Sequence, residues 1–351
     1  MNTRLKKIST RALPLLLLCT VLLCAFLIPV EAATSQREQV FVGGGAFGVR
    51  YTTDGILVVG YCDVTSGGHA KNPAKAAGIK PGDCIIAVNG KKAESAKALA
   101  QEINSTDTDT LTLTLRREGE AKTVTLSPLP CDSDGHRRTG LWVRDTGAGI
   151  GTVTYIHANG KDFGGLGHGI CDGGSGCLVP LARGTAMGVT ISDVQRGVVG
   201  TPGELKGHFT ATKIGAITSN TPCGVFGVLT DKQPTTAGLL PVATRDEVHD
   251  GAATCWCTLD EQGPLEYTVK ISDIHRSARD NKCFTVTVTD NALLEKTGGI
   301  VQGMSGSPIV QDGRLVGAIT HVLIGNPTTG YGIFIENMLN ASTARNELPA
   351  A

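Results

Sequence analysis

Aromatic residues are scarce in this 351-residue chain, at 4%, and neither sign of charge prevails, with 32 Lys and Arg against 32 Asp and Glu. The charge balance removes the electrostatic footprint expected of a nucleic-acid binder or of a receptor for acidic ligands. Internal repeats are also lacking. So is the cysteine spacing that staples small secreted domains: of eleven cysteines, Cys19 and Cys24 fall in an N-terminal apolar run, and an odd nine are scattered beyond it. These read as free thiols, with the close pairs Cys171/Cys177 and Cys255/Cys257 the ones to follow. What is abundant is glycine, 46 residues, far above the usual share of about 7%. Together with Val-Thr-rich runs, it points to many tight turns between β-strands, hence a mainly β chain long enough for roughly two domains.

Arg4, Lys6, Lys7 and Arg11 precede an apolar run from Ala12 to Val30. That is the layout of an export signal, with Val30-Glu31-Ala32 as a cleavage site, or of a retained anchor. The positive flank keeps the start of the chain cytoplasmic and places the remainder outside. Residues 1–33 are therefore set aside as signal peptide or membrane anchor, and an extracytoplasmic location follows.

Residues 40–130 read as a small binding module. A glycine loop, Gly43-Gly44-Gly45-Ala46-Phe47-Gly48-Val49, runs into a strand. A short helix ends at Gly78 before the Pro81-Gly82 turn, and the strand Cys84–Val88 leads to an Asn89-Gly90 turn. A helical stretch over Ser95–Ile103 and the alternating strand Leu111–Arg116 follow. This order, and the stretch AAGIKPGDCIIAVNG in particular, resembles a PDZ domain. The resemblance implies that Ala46, Phe47, Gly48 and Val49 form the loop whose amides hold a peptide C-terminal carboxylate. The polar segment 131–140 reads as a linker, and 141–345 as a second domain of short alternating strands, suited to a two-lobed β-barrel body.

Within that domain, Gly303-Met304-Ser305-Gly306-Ser307-Pro308 sets a serine between glycines just before an apolar strand. Such a loop presents a hydroxyl at a bend and lets backbone amides approach a substrate carbonyl oxygen. Ser305 is the candidate nucleophile; if the geometry is trypsin-like, the amides of Gly303 and Ser305 form the oxyanion hole. A serine needs a histidine base and a group to orient it. Among eight histidines, His168 stands out in the glycine-rich GGLGHGI. His157 and His208 read as turn residues, and His321 as an ordinary strand residue. Asp290 ends an alternating strand and is the candidate orienting acid, with Asp162, Asp172 and Asp273 as competitors.

The segments GLWVRDTGAGIGT, GGLGHGICD, PGELKG, VTDNALLEKTGGIVQGMSGSPIVQDGRLVGAITHVL and PTTGYGIFIENML, downstream of a PDZ-like module, resemble the stage IV sporulation protein B peptidases. The resemblance implies a trypsin-like serine endopeptidase with the catalytic set His168, Asp290 and Ser305 and no cofactor or metal. It implies a protein substrate as well: a membrane-bound regulator of an intramembrane metalloprotease, cleaved between forespore and mother cell to activate a sigma factor. Self-cleavage and self-recognition through the PDZ module belong to the same expectation, as does membrane association through the N-terminal segment. Asp290 and Ser305 lie only 15 residues apart, closer than in ordinary trypsin-like chains. The alternative from another class is a noncatalytic exported scaffold whose PDZ module tethers peptide C-termini. A zinc site over His168, Cys171, Cys177, Cys255 and Cys257 fits poorly, because the spacings depart from those of zinc ligand pairs.

Overall fold

In the strand Pro264–Ser272, Tyr267, Val269 and Ile271 are buried while Glu266, Thr268 and Lys270 are exposed. That period of two is the rule through most of the molecule: apolar side chains on one pleat face pack inward and polar ones meet water. The computed structural model describes residues 37–343 apart from 107 and 232–234. The run 12–30, expected to be a signal or anchor, lies outside the described residues. Among those described, no helix is long and apolar enough to cross a membrane.

The longer elements of the first part are β1 (Gln39–Val42), β2 (Ala46–Tyr61), α1 (Pro73–Ala76), β3 (Cys84–Val88), α2 (Ala96–Ser105), β4 (Leu111–Arg117) and β5 (Glu120–Leu126). Next come β6 (Leu141–His157), β7 (Asp162–Gly165), β8 (Leu181–Gln195), β9 (Glu204–Thr221) and β10 (Gly224–Leu229). The last part holds β11 (Gly251–Thr258), β12 (Pro264–Ser272), β13 (Phe284–Val288), α3 (Asn291–Thr297), β14 (Pro308–Gln311), β15 (Arg314–Leu323), β16 (Asn326–Phe334) and α4 (Ile335–Thr343).

Two barrels result. The antiparallel pairings run β2–β6–β7–β10–β9–β8 and return to β2, closing a ring around Phe47, Val49, Phe163, Leu166 and Val225. Phe47 and Phe163 meet edge to face inside it, with ring centroids 5.8 Å apart. The second barrel closes in the order β11–β12–β13–β16–β15–β14 around a core that includes Phe284 and Phe334. The second half of β2 leaves the first barrel to pair with β3, and β4 and β5 extend that sheet. With α1 and α2 it forms the small module around Ile56, Ile85, Leu99, Leu111 and Leu113. In α2, Ser95 accepts from the Ala98 N–H at 3.1 Å as N-cap, and Leu99 and Ile103, four apart, are its buried face. The mainly β architecture, the PDZ-like module and the barrel body all agree with the sequence-based expectation.

The domain edges differ from that expectation. The loop expected over Ala46, Phe47, Gly48 and Val49 is a strand paired on both sides. Ala46–Val49 face Thr152–Gly149 of β6 on one edge, and Gly48 and Val49 face Met187 and Ala186 of β8 on the other. Phe47 is fully buried, and Gly43 and Gly44 N–H donate to Thr154 and Val153 carbonyls. Amides used in this way cannot hold a ligand carboxylate, so that assignment is corrected. The segment 131–140 is likewise no free linker. The Thr139 carbonyl accepts from Ala74 N–H and the Gly140 carbonyl from Cys62 N–H, and Leu141 and Val143 then pack on the module's core.

Candidate active site

The loop from Gly299 to Pro308 enters β14 of the second barrel and is held by β6 of the first. Thr152 N–H donates to the Ser305 carbonyl at 2.9 Å, Thr152 Oγ1 to the Gly303 carbonyl at 3.0 Å, and Thr154 Oγ1 to the Gly306 carbonyl at 2.8 Å. On the other side, Gly306 N–H donates to the Ile319 carbonyl of β15 at 2.8 Å. The loop therefore sits where the two barrels meet. Gly306 has φ +94°, and a Cβ there would lie 2.2 Å from the Thr152 carbonyl oxygen and 2.5 Å from the Leu166 nitrogen. Gly306→Ala is accordingly expected to cost at least about 1–3 kcal/mol from backbone conformation alone, with the clash in addition. Urea denaturation of the purified variant checks this; an unchanged midpoint would refute it.

Ser305 Oγ donates to the Thr320 carbonyl at 2.8 Å. Around it, Met304, Gly306 and Ser307 N–H groups donate to Val301, Ile319 and Met304 carbonyls. Among the described residues, those of Gly303 and Ser305 have no such acceptor, which leaves two amides beside the hydroxyl for a developing oxyanion. Ser307 is fully buried, and its Oγ has no partner.

His168 follows β7. Leu166 and Gly167 both take φ +67°, and a Cβ on Gly167 would lie only 3.0 Å from Thr320 Cγ2. This left-handed pair turns the chain sharply against β15. The His168 ring then lies 4.8 Å from that of His321, centroid to centroid and tilted by 36°. Its Nδ1 is 2.8 Å from the Gly169 carbonyl oxygen. A carbonyl can only accept, so Nδ1 carries the proton and Nε2 is the free basic nitrogen. Burial pushes the His168 pKa down, against an opposing pull from the Gly169 carbonyl. His321 falls to about 4, through burial first and then the neighbouring His168 and Lys282. Its Nδ1 is buried without a hydrogen-bond partner. Ser305 and His168 thus each touch the same strand, at the adjacent residues Thr320 and His321.

Asp290 has other partners. One of its carboxylate oxygens accepts from Leu293 N–H at 3.1 Å as the N-cap of α3, and the other from Thr268 N–H at 3.3 Å. Its charge is felt at Cys255, Cys257 and Tyr267, while no carboxylate contributes to the shift of His168. Asparagine caps a helix as well as aspartate does, and alanine costs about 0.5–2 kcal/mol. Asp290→Asn is therefore expected to keep stability and kcat/KM within a few-fold of the parent, and Asp290→Ala to lose stability first. Loss of an orienting acid instead lowers kcat about 10⁴-fold, so a drop of that size in Asp290→Asn, measured on a chromogenic ester, would return Asp290 to the catalytic set.

The competing acids have partners of their own: Asp162 Oδ2 accepts from Asn159 Nδ2 at 2.7 Å and Asp273 Oδ2 from Ser272 Oγ at 3.3 Å. Asp172 is buried and accepts from Gly174 and Ser175 N–H and from Ser175 Oγ; Arg144 lies 2.9 Å away. Burial alone would raise its pKa, but these donors and Arg144 outweigh it and hold it low. Sequence reasoning did not find the pair His249 Nε2–Asp312 Oδ2 at 2.8 Å, which is exposed. Cys255 and Cys257 point into the second barrel, and burial pushes the Cys255 thiol up to about 12. Among the described residues no group of three or more His, Cys, Asp and Glu is placed to hold a metal.

A family model described as SpoIVB peptidase S55 matches residues 135–339, and a PDZ domain model matches 47–127. A search of the curated proteins returned no match. Among solved structures, the active form of the Rv3671c protease from M. tuberculosis is 13% identical, with 58% of this chain and 78% of that chain covered and a TM-score of 0.33. Human heparin binding protein is 14% identical over 57% of this chain and 88% of that chain, with a TM-score of 0.31.

Proposed function

We propose, for a chain that belongs to the SpoIVB peptidase S55 family and is thus a serine endopeptidase, that Ser305 is the nucleophile and His168 its base. The observation that carries this is the convergence of the two on Thr320 and His321, with the Gly303 and Ser305 amides unengaged beside them. In the reaction, the Ser305 hydroxyl turns from the Thr320 carbonyl toward His168 Nε2 and passes its proton there as Oγ attacks the scissile carbonyl. The oxyanion is met by the Gly303 and Ser305 amides. The new imidazolium keeps its Nδ1–H on the Gly169 carbonyl, which fixes the ring without a carboxylate. It then protonates the leaving amine; the freed nitrogen takes a proton from water as the water oxygen attacks the acyl carbonyl, and returns that proton to Ser305 Oγ as the ester bond breaks.

The setting is that of an exported or membrane-anchored enzyme of sporulation signalling. Its substrate is a membrane-bound regulator of an intramembrane metalloprotease, and it cleaves its own N-terminal region as well. The N-terminal basic and apolar segment and the family membership support this reading. In a spore-forming host lacking its own copy, expression of this chain is expected to restore a reporter driven by the late sigma factor, and Ser305→Ala to leave it silent. Restoration by Ser305→Ala would sink the proposal.

A further inference from the structure

The two amides left open beside Ser305 are aimed by different parts of the chain. Each N–H shares a planar trans peptide unit with the carbonyl of the residue before it, and the two groups point opposite ways. A bond that grips the carbonyl therefore fixes the direction of the N–H. For the Ser305 N–H that carbonyl is Met304's, which accepts from Ser307 N–H at 2.9 Å, inside the loop. For the Gly303 N–H it is Gln302's, which accepts from Leu205 N–H of β9 at 2.8 Å.

The second unit needs that outside hold. Gly303 has φ +98°, and glycine takes either sign of φ, so the 302–303 peptide is free to turn over and carry its N–H away from the hole. Several contacts oppose the turn. Gln302 N–H donates to the Gly203 carbonyl at 2.8 Å, which with the Leu205 bond makes a two-bond parallel bridge across Glu204. Leu205 is buried, and a Cβ on Gly303 would lie 2.9 Å from its Cδ1 and 3.0 Å from its Cβ and Cγ. β9 comes this close because Gly203 has no side chain: a Cβ there would lie 2.4 Å from the Gln195 carbonyl oxygen and 2.6 Å from Val301 Cγ1. The pairings Gln195↔Glu204 and Val194↔Leu205 with β8 then fix where Leu205 stands. Gly203, Glu204 and Leu205 are the middle of the segment PGELKG.

We propose that Leu205 is a positioning residue of the oxyanion hole. Its N–H holds the Gln302 carbonyl so that the Gly303 N–H points at the developing oxyanion, and its side chain, against Gly303, keeps the peptide unit from turning over. The inference rests on the reading of Ser305 as nucleophile and deepens it: oxyanion stabilisation is set from β9, by a residue outside the nucleophile loop.

The test uses the full-length chain in detergent, with p-nitrophenyl acetate for turnover and a fluorophosphonate for the labelling rate, because its phosphoryl oxygen occupies the oxyanion position. α-Hydroxyisocaproic acid placed at position 205 by nonsense suppression keeps the leucine side chain and replaces the N–H with an ester oxygen. In that chain kcat and kcat/KM are expected to fall together, at least about tenfold and toward the roughly 10²–10³ lost with an oxyanion donor. An equal fall in both marks an interaction made in the transition state alone. The labelling rate should fall by the same factor, with thermal unfolding showing both chains folded at the assay temperature. A merely structural contact would leave kcat per folded molecule unchanged. Leu205→Ala is expected to lose activity in the same pattern, and Leu205→Met to recover most of it. Parent-like kcat and labelling in the ester chain, or a loss confined to KM, overturns the proposal. If the ester chain does not fold, Leu205→Ala decides by the same two criteria. A Ser305→Ala chain that still labels would instead overturn the reading of the site, and this inference with it.

Discussion

Replacing Ser305 with alanine is expected to lower kcat on the order of 10⁶-fold, the scale seen when a catalytic serine is removed from a His-activated site. No other single change should cost more. Oγ is the atom that forms the acyl bond, and its loss leaves only substrate binding and the Gly303 and Ser305 amides, which together sustain a residual of about 10³–10⁴ over water. The fold should survive, because the one hydrogen bond lost is that from Oγ to the Thr320 carbonyl, worth about 1 kcal/mol. Labelling with a fluorophosphonate followed by intact mass measurement gives the cleanest reading: one adduct on the parent and none on the variant. A variant that still labels or hydrolyses at the parent rate would show that Ser305 is not the nucleophile, and would bring forward the noncatalytic scaffold.

His168→Gln is expected to cost nearly as much as Ser305→Ala, and the double variant no more than either alone, since the two act as one unit. Additive losses in the double variant would separate them. In the parent enzyme, kcat/KM should rise with pH as His168 loses its proton, with the inflection below the ordinary histidine value of 6.5, because burial holds the ring neutral. An inflection above 6.5 would contradict this. Stability follows the same side of the scale. His321 has a folded-state pKa of about 4 against the ordinary histidine value of 6.5, so the unfolded chain takes up its proton first as pH falls. The stability present above pH 6.5 is lost progressively down to about 4.

The Ser305 loop was legible because its signal is local: glycine, serine, glycine and an apolar strand lie within a few residues. The helix and strand order of the module was legible for the same reason. The misplacement of Ala46–Val49 has the opposite cause. A run of glycines before a strand reads as a loop, but what decides its state is pairing with Gly149–Thr152 and Ala186–Met187, far away in sequence. The segment before Leu141 read as a linker because it is polar, although its carbonyls serve the module. Asp290 stands directly before Asn291-Ala292-Leu293-Leu294, where an aspartate marks a helix start. His321 looked like any strand residue because no sequence pattern reports which ring packs across from it.

β6 also bears on how such a chain can be taken apart. Its first residues complete the sheet of the small module, while Thr152 and Thr154 near its other end hold the Ser305 loop. A gene fragment ending near residue 130 would encode a module missing one wall. A fragment starting at Leu141 would carry that wall away with the peptidase and leave it uncovered. The boundary visible in sequence is therefore not one at which the chain can be cut without opening the sheet and core of the small module.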